Sequence, residues 1–159
     1  MKEVSTNQPR DEKANWIARV SEWGLELEQA PPAFKGDREV VLAAVAQNGR
    51  ALQHASPGLR ADREVVLTAV EQNGGALVYA SEALREDREV VLAAVAQNGY
   101  ALRYASDTLK GDREVELAAV AQNPEALQYA SSRLQDGGLA AYVRDILAYD
   151  QFVFARRDK

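Results

Sequence analysis

Apolar and polar positions follow one pattern along this chain, and the pattern returns every 25 residues. The clearest copy, DREVVLAAVAQNGRALQHASPGLRA, begins at Asp37, and further copies begin at Asp62, Asp87 and Asp112. In each copy an apolar run follows the opening Asp-Arg-Glu, then comes an Ala-Leu pair, then a lone Leu. A fixed internal period is typical of repeat arrays, in which each unit contacts mainly its neighbours. The pattern therefore predicts a solenoid of stacked units.

Helix-start residues recur at three places in each unit: Asp at the first position, Asn at the twelfth and Ser at the twentieth. Their short side chains accept hydrogen bonds from the free N–H groups of a following helical turn. Pro57 and Pro124 each follow such a residue directly, as the first position of a helix permits. In the unit that begins at residue 37 we therefore predict a long helix over 38–47, a short helix over 49–55 and a single turn over 57–60.

The long helix is apolar around much of its circumference, so it must be covered on more than one side. The positions that stay apolar in every copy predict the core, and in the first full unit they are Val40, Leu42, Ala44 and Val45. Glu116 interrupts this arc where the earlier copies have Val. Because an unpaired buried carboxylate is costly, we expect the array to end at this unit, with Glu116 at a wet edge or facing Arg144.

Residues outside the four copies extend the array at both ends. Residues 12–34 align with the unit in degenerate form, and Trp16 and Trp23 are expected to close this end of the core. After a glycine pair, apolar residues recur at helical spacing and predict a capping helix. The predicted fold is an all-α helical-repeat solenoid of about five 25-residue units, each a long helix, a short helix and a single turn. Its segments are a flexible N-terminus (1–11), the array (12–136, with units at 12–36, 37–61, 62–86, 87–111 and 112–136), a C-terminal capping helix (137–154) and a charged tail (155–159).

Two polar positions recur in register with the repeat. Gln ends each long helix and is expected to bond to loop backbone, at Gln47, Gln72, Gln97 and Gln122. Arg at the second position forms a ladder if the units stack, at Arg38, Arg63, Arg88 and Arg113. Such a ladder can grip an acidic partner. We favour pairing of each Arg with the Asp or Glu of its own or the adjacent unit, because surface ion pairs of this kind are common.

The repeated motif D-R-E-V-V-L-A-A-V-x-Q-N-G-x-A-L-x-Y-A-S-x-x-L, over 37–136, resembles a repeat family catalogued as domain of unknown function 4116. The family occurs in bacteria, host-associated ones among them, and in some single-celled eukaryotes. This chain departs from the motif at His54, at Glu116 and at Pro124, where the other copies have Tyr, Val and Gly. The resemblance supports the repeat fold, carries over no catalytic residue, and implies a possible effector or partner-binding role.

Charge and composition narrow the class of partner. The net charge of −5 argues against nucleic acid, since nucleic-acid binders are usually basic. No apolar run approaches the roughly 20 residues that span a bilayer, and no secretory signal is visible. The absence of Cys excludes disulfides and thiolate metal sites. We therefore expect a cytoplasmic protein without membrane or nucleic-acid partners, with delivery to a host by a specialised secretion system as an open alternative.

Catalytic chemistry has little basis in this sequence. No nucleotide-binding, hydrolase or metalloprotease motif is present, and the single His54 takes the place of Tyr in the other copies. We therefore predict no catalytic, cofactor-binding or metal-binding residues. An enzymatic activity hosted by 137–159 stays as an alternative, although Tyr142, Asp145 and Asp150 there are too few to define a site.

Positions that differ between copies point to the partner surface, because stacking requires the same residues in every unit. The fourteenth and seventeenth positions vary most informatively, and a Tyr column flanks them. Aromatic and Arg residues are enriched at interface hot spots. The predicted partner-binding residues are Arg50, Gln53, Val78, Tyr79, Tyr100, Arg103, Tyr104 and Gln128. The leading hypothesis is a monomeric, non-enzymatic module that binds a protein or peptide, as an effector, adaptor or immunity protein; the alternatives are a structural spacer or an uncharacterised enzymatic effector.

Overall fold

The computed structural model describes residues 9–130, and every regular element within that range is a helix. We number the units 1 to 5 in chain order. Each contains a long α-helix and a 3₁₀ helix, and units 1 to 4 end in a short closing turn. The long helices are α1 (Pro9–Glu22), α3 (Arg38–Gln47), α4 (Arg63–Gln72), α6 (Arg88–Gln97) and α8 (Arg113–Gln122). The 3₁₀ helices are Gly24–Gln29, Gly49–His54, Gly74–Tyr79, Gly99–Tyr104 and Pro124–Tyr129. The closing turns are α2 (Pro32–Lys35), the 3₁₀ turn Leu59–Ala61, α5 (Glu82–Arg85) and α7 (Asp107–Lys110).

Each long helix of units 2 to 5 begins where its capping aspartate predicts. The Asp37 carboxylate accepts hydrogen bonds from the backbone N–H groups of Glu39 and Val40. The same pair of bonds forms at Asp62, Asp87 and Asp112. These bonds satisfy N–H groups that the first turn of a helix leaves free. The predicted long helix over 38–47 is thus confirmed, together with its equivalents in the later units.

The short second helix is a 3₁₀ helix, and in unit 2 it ends one residue before the predicted boundary. The Asn48 side chain caps it by accepting from the Arg50 N–H, as the sequence indicates. Its backbone bonds join residues three apart, for example from the Ala51 N–H to the Asn48 carbonyl. A 3₁₀ helix has three residues per turn, so residues three apart lie directly above one another. The fourteenth and seventeenth positions therefore share one row, while Gly49 and Leu52 share the buried row.

Serine at the twentieth position joins units mainly through its backbone. The Ser81 N–H donates to the Arg60 carbonyl of the preceding unit at 2.9 Å, and the equivalent bonds form at the neighbouring junctions. Of the predicted serine caps, Ser106 accepts a side-chain bond from its turn, whereas Ser81 does not. In unit 2 the 3₁₀ turn spans Leu59–Ala61 in place of the predicted 57–60, although the Leu59 and Arg60 N–H groups bond to the Ser56 carbonyl as their equivalents do in unit 3.

The core is a continuous stack through all the units. Each long helix packs on the long helix of the next unit, and the 3₁₀ helices pack on one another in a second layer. In α3 the fully buried residues are Val40, Val41, Ala44 and Val45. Leu42, which the sequence placed in the core, is only half-buried and packs against its edge. Three of the four predicted core residues of α3 are therefore confirmed. The buried arc excludes Leu42 and includes Val41, which lies between Val40 and Val45 around the helix.

Glu116 occupies this inner position in α8. Its side chain is 0% exposed, on the same face as Val115, Ala119 and Val120. The expectation that Glu116 lies at a wet edge is therefore wrong, because the middle of the apolar arc, where Glu116 lies, is covered in unit 5 as in the earlier units. Arg144, the other predicted neighbour, lies outside the described residues, as do the predicted capping helix at 137–154 and the charged tail at 155–159.

Unit 1 has the geometry of the other units, and α1 begins at Pro9, three residues before the predicted boundary. Trp16 is buried and its ring lies 6.3 Å from that of Phe34, as expected for a residue that closes the core. Trp23 is 65% exposed, so its predicted closing role is wrong. Its position is that of the Asn cap in later units, which lies at the surface where the 3₁₀ helix starts. Within 9–130, no helix combines the length and the apolar character needed to cross a membrane.

Candidate functional site

Polar groups at the junctions between units are used by stacking. The Gly49 N–H donates to the Gln72 side-chain oxygen of the next unit at 2.5 Å, and the Gly24 N–H donates to Gln47 at 2.7 Å. Equivalent bonds join Gly74 to Gln97 and Gly99 to Gln122. The prediction that these glutamines bond to loop backbone is confirmed. The loop belongs to the preceding unit, so each glutamine links two units.

Glycine at the thirteenth position is required by the close approach of the next long helix. A Cβ atom on Gly74 would lie 2.2 Å from the Ala94 backbone oxygen, well inside contact distance. Gly24, Gly49 and Gly99 are constrained in the same way by the following unit. Pro124 occupies this position in unit 5. It carries a Cβ and lacks an N–H, so a further unit stacked in the same way would clash with it and lose its glutamine bond.

The arginines of the ladder also form ion pairs between units. Arg38 pairs with Asp62 at 2.9 Å and with Glu64, and Arg63 and Arg88 repeat the arrangement one unit further on each time. Lys13 takes the same role in unit 1, with Asp37 at 2.9 Å. The hydrogen bond from Arg38 holds the pKa of Asp62 below its usual value. The favoured prediction that each arginine pairs with the Asp or Glu of its own or the adjacent unit is confirmed for these three, in each case with the adjacent unit.

The exposed row of the 3₁₀ layer contains a cleft of about 210 Å³. Six of the eight predicted partner-binding residues line it, namely Arg50, Val78, Tyr79, Tyr100, Arg103 and Tyr104. Gln53 and Gln128 do not line it: Gln53 is exposed, and the Gln128 amide donates to the Glu125 carbonyl within its own helix. The sequence therefore predicted most of the lining, although it did not predict that the lining forms a concave site.

Gly75 makes the cleft. At this fourteenth position the neighbouring units carry Arg50 and Tyr100, whose side chains stand on either side of the missing one. Gly75 has no unusual backbone angle, and its N–H is bonded to Asn73 as the Arg50 N–H is bonded to Asn48. Its backbone therefore resembles that of units with a side chain, and the opening arises from the missing side chain alone.

Aromatic contacts hold the far wall of the cleft. The Arg103 guanidinium lies over the Tyr104 ring at 5.0 Å and the Tyr129 ring at 5.6 Å. The Tyr100 ring packs edge-on against Tyr129 at 6.1 Å, and its hydroxyl donates to the Glu125 carboxylate. These contacts orient two side chains before any partner arrives, which lowers the cost of ordering them on binding.

His54 lies in the column of tyrosines, as its alignment predicts. It is half-buried, and this burial lowers its pKa, while nearby Glu28 raises it and Lys35 lowers it. Among the described residues, no group of three His, Asp or Glu side chains is placed to hold a metal ion.

A second basic column, which was not among the predicted features, lies at the twenty-fourth position. Its members are half-buried and close units 1 to 4: Lys35, Arg60, Arg85 and Lys110. The signal was a basic residue at the same place in these four units, where unit 5 has Gln135. Lys110 pairs with Asp107 at 3.2 Å, and Arg85 lines a wider cleft together with Glu82, Glu86 and Asp107. Carboxylates therefore offset this column in units 3 and 4, unlike the cleft beside Gly75, whose lining includes no acidic residue.

Comparison with known proteins supports the repeat assignment. A family model described as Domain of unknown function (DUF4116) matches the chain three times, over residues 18–60, 62–110 and 87–135. No curated protein and no solved structure matches the chain. The family matches together include more than half of the chain and extend from α1 through unit 5. The chain, with its stacked 25-residue helical units, therefore belongs to the family of domains of unknown function DUF4116.

Proposed function

We propose that this protein is a non-enzymatic module that binds another protein or a peptide along its 3₁₀ layer, in the role of a bacterial effector, adaptor or immunity protein. The cleft beside Gly75 carries the proposal, because it gathers the variable aromatic and Arg side chains into one concave site. The repeated glutamines and ladder arginines are engaged in stacking. What differs between units is thus left for a partner.

The size of the cleft favours a side chain of a macromolecule over a small-molecule ligand. Sites for drug-sized ligands usually measure about 300–1,000 Å³, whereas this cleft measures about 210 Å³. Its arginine and tyrosine lining matches the composition of interface hot spots. A protruding side chain from a bound protein or peptide fits both its size and its chemistry.

The test fills the cleft without disturbing the fold. Gly75→Tyr places at position 14 the residue that unit 4 already carries there as Tyr100. Gly58→Tyr is the matched control, since a Cβ on Gly58 meets no atom within 4 Å and Gly58 does not line the cleft. The measurement is proximity labelling and pull-down in the source cells. We expect wild type and Gly58→Tyr to capture the same partners. Gly75→Tyr should capture about one-tenth as much of them or less, and a tenfold loss corresponds to about 1.4 kcal/mol of binding free energy.

Equal capture by all three proteins contradicts binding at this cleft and favours the structural spacer. A spacer also predicts that Tyr100→Ala combined with Arg103→Ala leaves every interaction unchanged. Circular dichroism and thermal unfolding of each variant confirm that a loss of capture does not come from unfolding.

A further inference from the structure

Two arginines in the cleft beside Gly75 have no ion pair with any described residue. Arg50 and Arg103 line the cleft from opposite sides of the gap, and both are exposed. Every ladder arginine from Arg38 to Arg88, in contrast, engages two carboxylates of the next unit. No acidic side chain lines the cleft, and the Glu125 carboxylate beyond its far wall accepts from the Tyr100 hydroxyl. The two arginines therefore make the lining itself positive although the whole chain carries −5. The site therefore favours one negative group, while the rest of the molecule repels a polyanion.

Exposed apolar side chains lie on the same layer. The large hydrophobic residues that are most exposed within 9–130 are Trp23 at 65%, Leu25 at 43% and Val78 at 39%. Leu25 and Val78 belong to 3₁₀ helices, and Trp23 directly precedes one. Leu25 occupies the fourteenth position of unit 1, so it shares its column with Arg50 and Gly75. An apolar site in unit 1 and a cationic site centred on unit 3 therefore lie in one line across the units.

The distance between these two sites can be expressed as a length of peptide. Neighbouring packed helices lie about 8–10 Å apart, so two unit steps amount to roughly 16–20 Å. An extended chain advances about 3.3 Å per residue, so roughly five or six residues cover that distance. A peptide in extended form can thus reach both sites at once.

We infer that the partner of the proposed 3₁₀ surface presents an extended peptide, and that this peptide places a carboxylate in the cleft that Arg50 and Arg103 line and an apolar side chain on Trp23 and Leu25. The two anchors are separated by about five or six residues along the peptide. Arg103, held over two tyrosine rings, supplies an ordered cationic group on one side of the cleft. Arg50 supplies a second cationic group on the other side. The inference rests on the proposed function, since it names the chemistry of the partner on that same surface.

Fluorescence anisotropy with synthetic peptides tests the inference. The probe is a labelled twelve-residue Ser/Thr/Gly peptide with one Leu and one Glu, five residues apart. The comparison peptides replace Glu by Gln, replace Leu by Ser, or bring the two residues to a spacing of two. We expect each change to weaken binding about tenfold or more, and we expect the affinity for the Glu peptide to fall as NaCl increases.

Protein variants assign the contacts to residues. Arg103→Gln and Arg50→Gln should weaken binding of the Glu peptide and leave the affinity for the Gln peptide unchanged. Leu25→Ser should remove the preference for Leu over Ser in the peptide. Arg10→Gln, an exposed arginine of α1 outside the cleft, is the matched control and should leave all affinities unchanged.

Three results would overturn the inference: no binding by any of these peptides, equal binding of the Glu and Gln peptides, or tighter binding of a single-stranded oligonucleotide. If partners captured from cells still depend on the open Gly75 cleft in any of those cases, the proposed function stands and only the peptide chemistry fails. If capture is also independent of the cleft, both proposals fail.

Discussion

The long-helix side and the 3₁₀ side of each unit use arginine in opposite ways. On the long-helix side, Arg38 and its equivalents recur in register, and each bridges carboxylates of the following unit. On the 3₁₀ side, Arg50 and Arg103 occupy different positions of their units and have no ion pair with any described residue. The repeated arginines therefore hold neighbouring units together, whereas the arginines that break the repeat line the cleft, beside the repeated Tyr79 and Tyr104. In this array the exceptions to the repeat are better guides to binding than the repeat itself.

Gly74→Ala tests the stacking side and should have the largest effect. The new Cβ would lie 2.2 Å from the Ala94 backbone oxygen, so the junction between units 3 and 4 must shift. Overpacking of this kind costs about 3 kcal/mol. Urea unfolding followed by circular dichroism measures the loss, and an unchanged unfolding midpoint would contradict the close approach described for this junction.

Gln97→Ala should have the next largest effect. It removes the acceptor of the buried Gly74 N–H and so leaves a polar group of the junction without its partner. The expected loss is about 1–2 kcal/mol in the free energy of unfolding. Gln53→Ala, on the exposed 3₁₀ row, is the matched control and should change it by less than about 0.5 kcal/mol. Equal losses in the two variants would mean that the junction glutamine does not link the units.

Low pH should weaken the ion pairs of the arginine ladder. The bond from Arg38 lowers the pKa of Asp62 below its ordinary value of 3.8 in the folded chain. The stabilisation is therefore complete above the unfolded pKa and is lost as the pH falls through the lower folded pKa. We expect wild type to lose stability below about pH 4, and Asp62→Asn to be less stable at pH 7 with a flatter pH dependence. Urea unfolding at pH 7, 4 and 2.5 measures this, with Glu71→Gln, which has no ion pair to a described residue, as the control.

Gly75→Ala should have the smallest effect and sharpens the comparison most directly. It makes the same chemical change as Gly74→Ala, one residue further along the chain, on the 3₁₀ row. The nearest atom to the new Cβ is the Asn73 side-chain oxygen at 3.1 Å, and other units carry larger side chains at this position. We expect a change within about 0.5 kcal/mol of wild type by the same urea titration. A large loss would show that the cleft depends on glycine for its fold as well as for its opening.

The sequence was sufficient for features that depend on local hydrogen bonding. The Asp37 and Asn48 caps and the helix bounds that they set follow from short-range chemistry that units 2 to 5 repeat. The glutamine bonds to backbone were predicted, but the sequence did not show that they cross to the preceding unit. The limit of the buried arc on the long helix was not predictable in the same way. Val41 and Leu42 are both apolar, so only the packing decides which of them faces inward, and Glu116 inherits that decision.

The candidate site was predicted as a set of residues and missed as a shape. Variation between units pointed to Tyr100 and Arg103, but the cleft needs the three-residue turn that lines them up. The cleft also needs the missing side chain at Gly75, whereas the predicted partner-binding residues were all residues with side chains. Trp23 misled for a related reason, because a bulky residue in a terminal unit can equally lie on the surface.

Because of Pro124, whole units can be inserted or deleted before unit 5 but cannot be added after it. Removal of residues 62–86 would join Ala61 to Asp87 and restore the same Gly–Gln and Arg–Asp contacts between the remaining units. A unit duplicated upstream would be accepted on the same terms. A unit placed after unit 5 would meet the Pro124 ring where its glutamine needs a backbone N–H donor. Growth and shortening of the array are therefore confined to one side of residue 124. Removal of 62–86 would also remove Gly75 and with it the cleft, whereas a unit inserted between Trp23 and Arg50 would move the cleft one unit step away from Trp23.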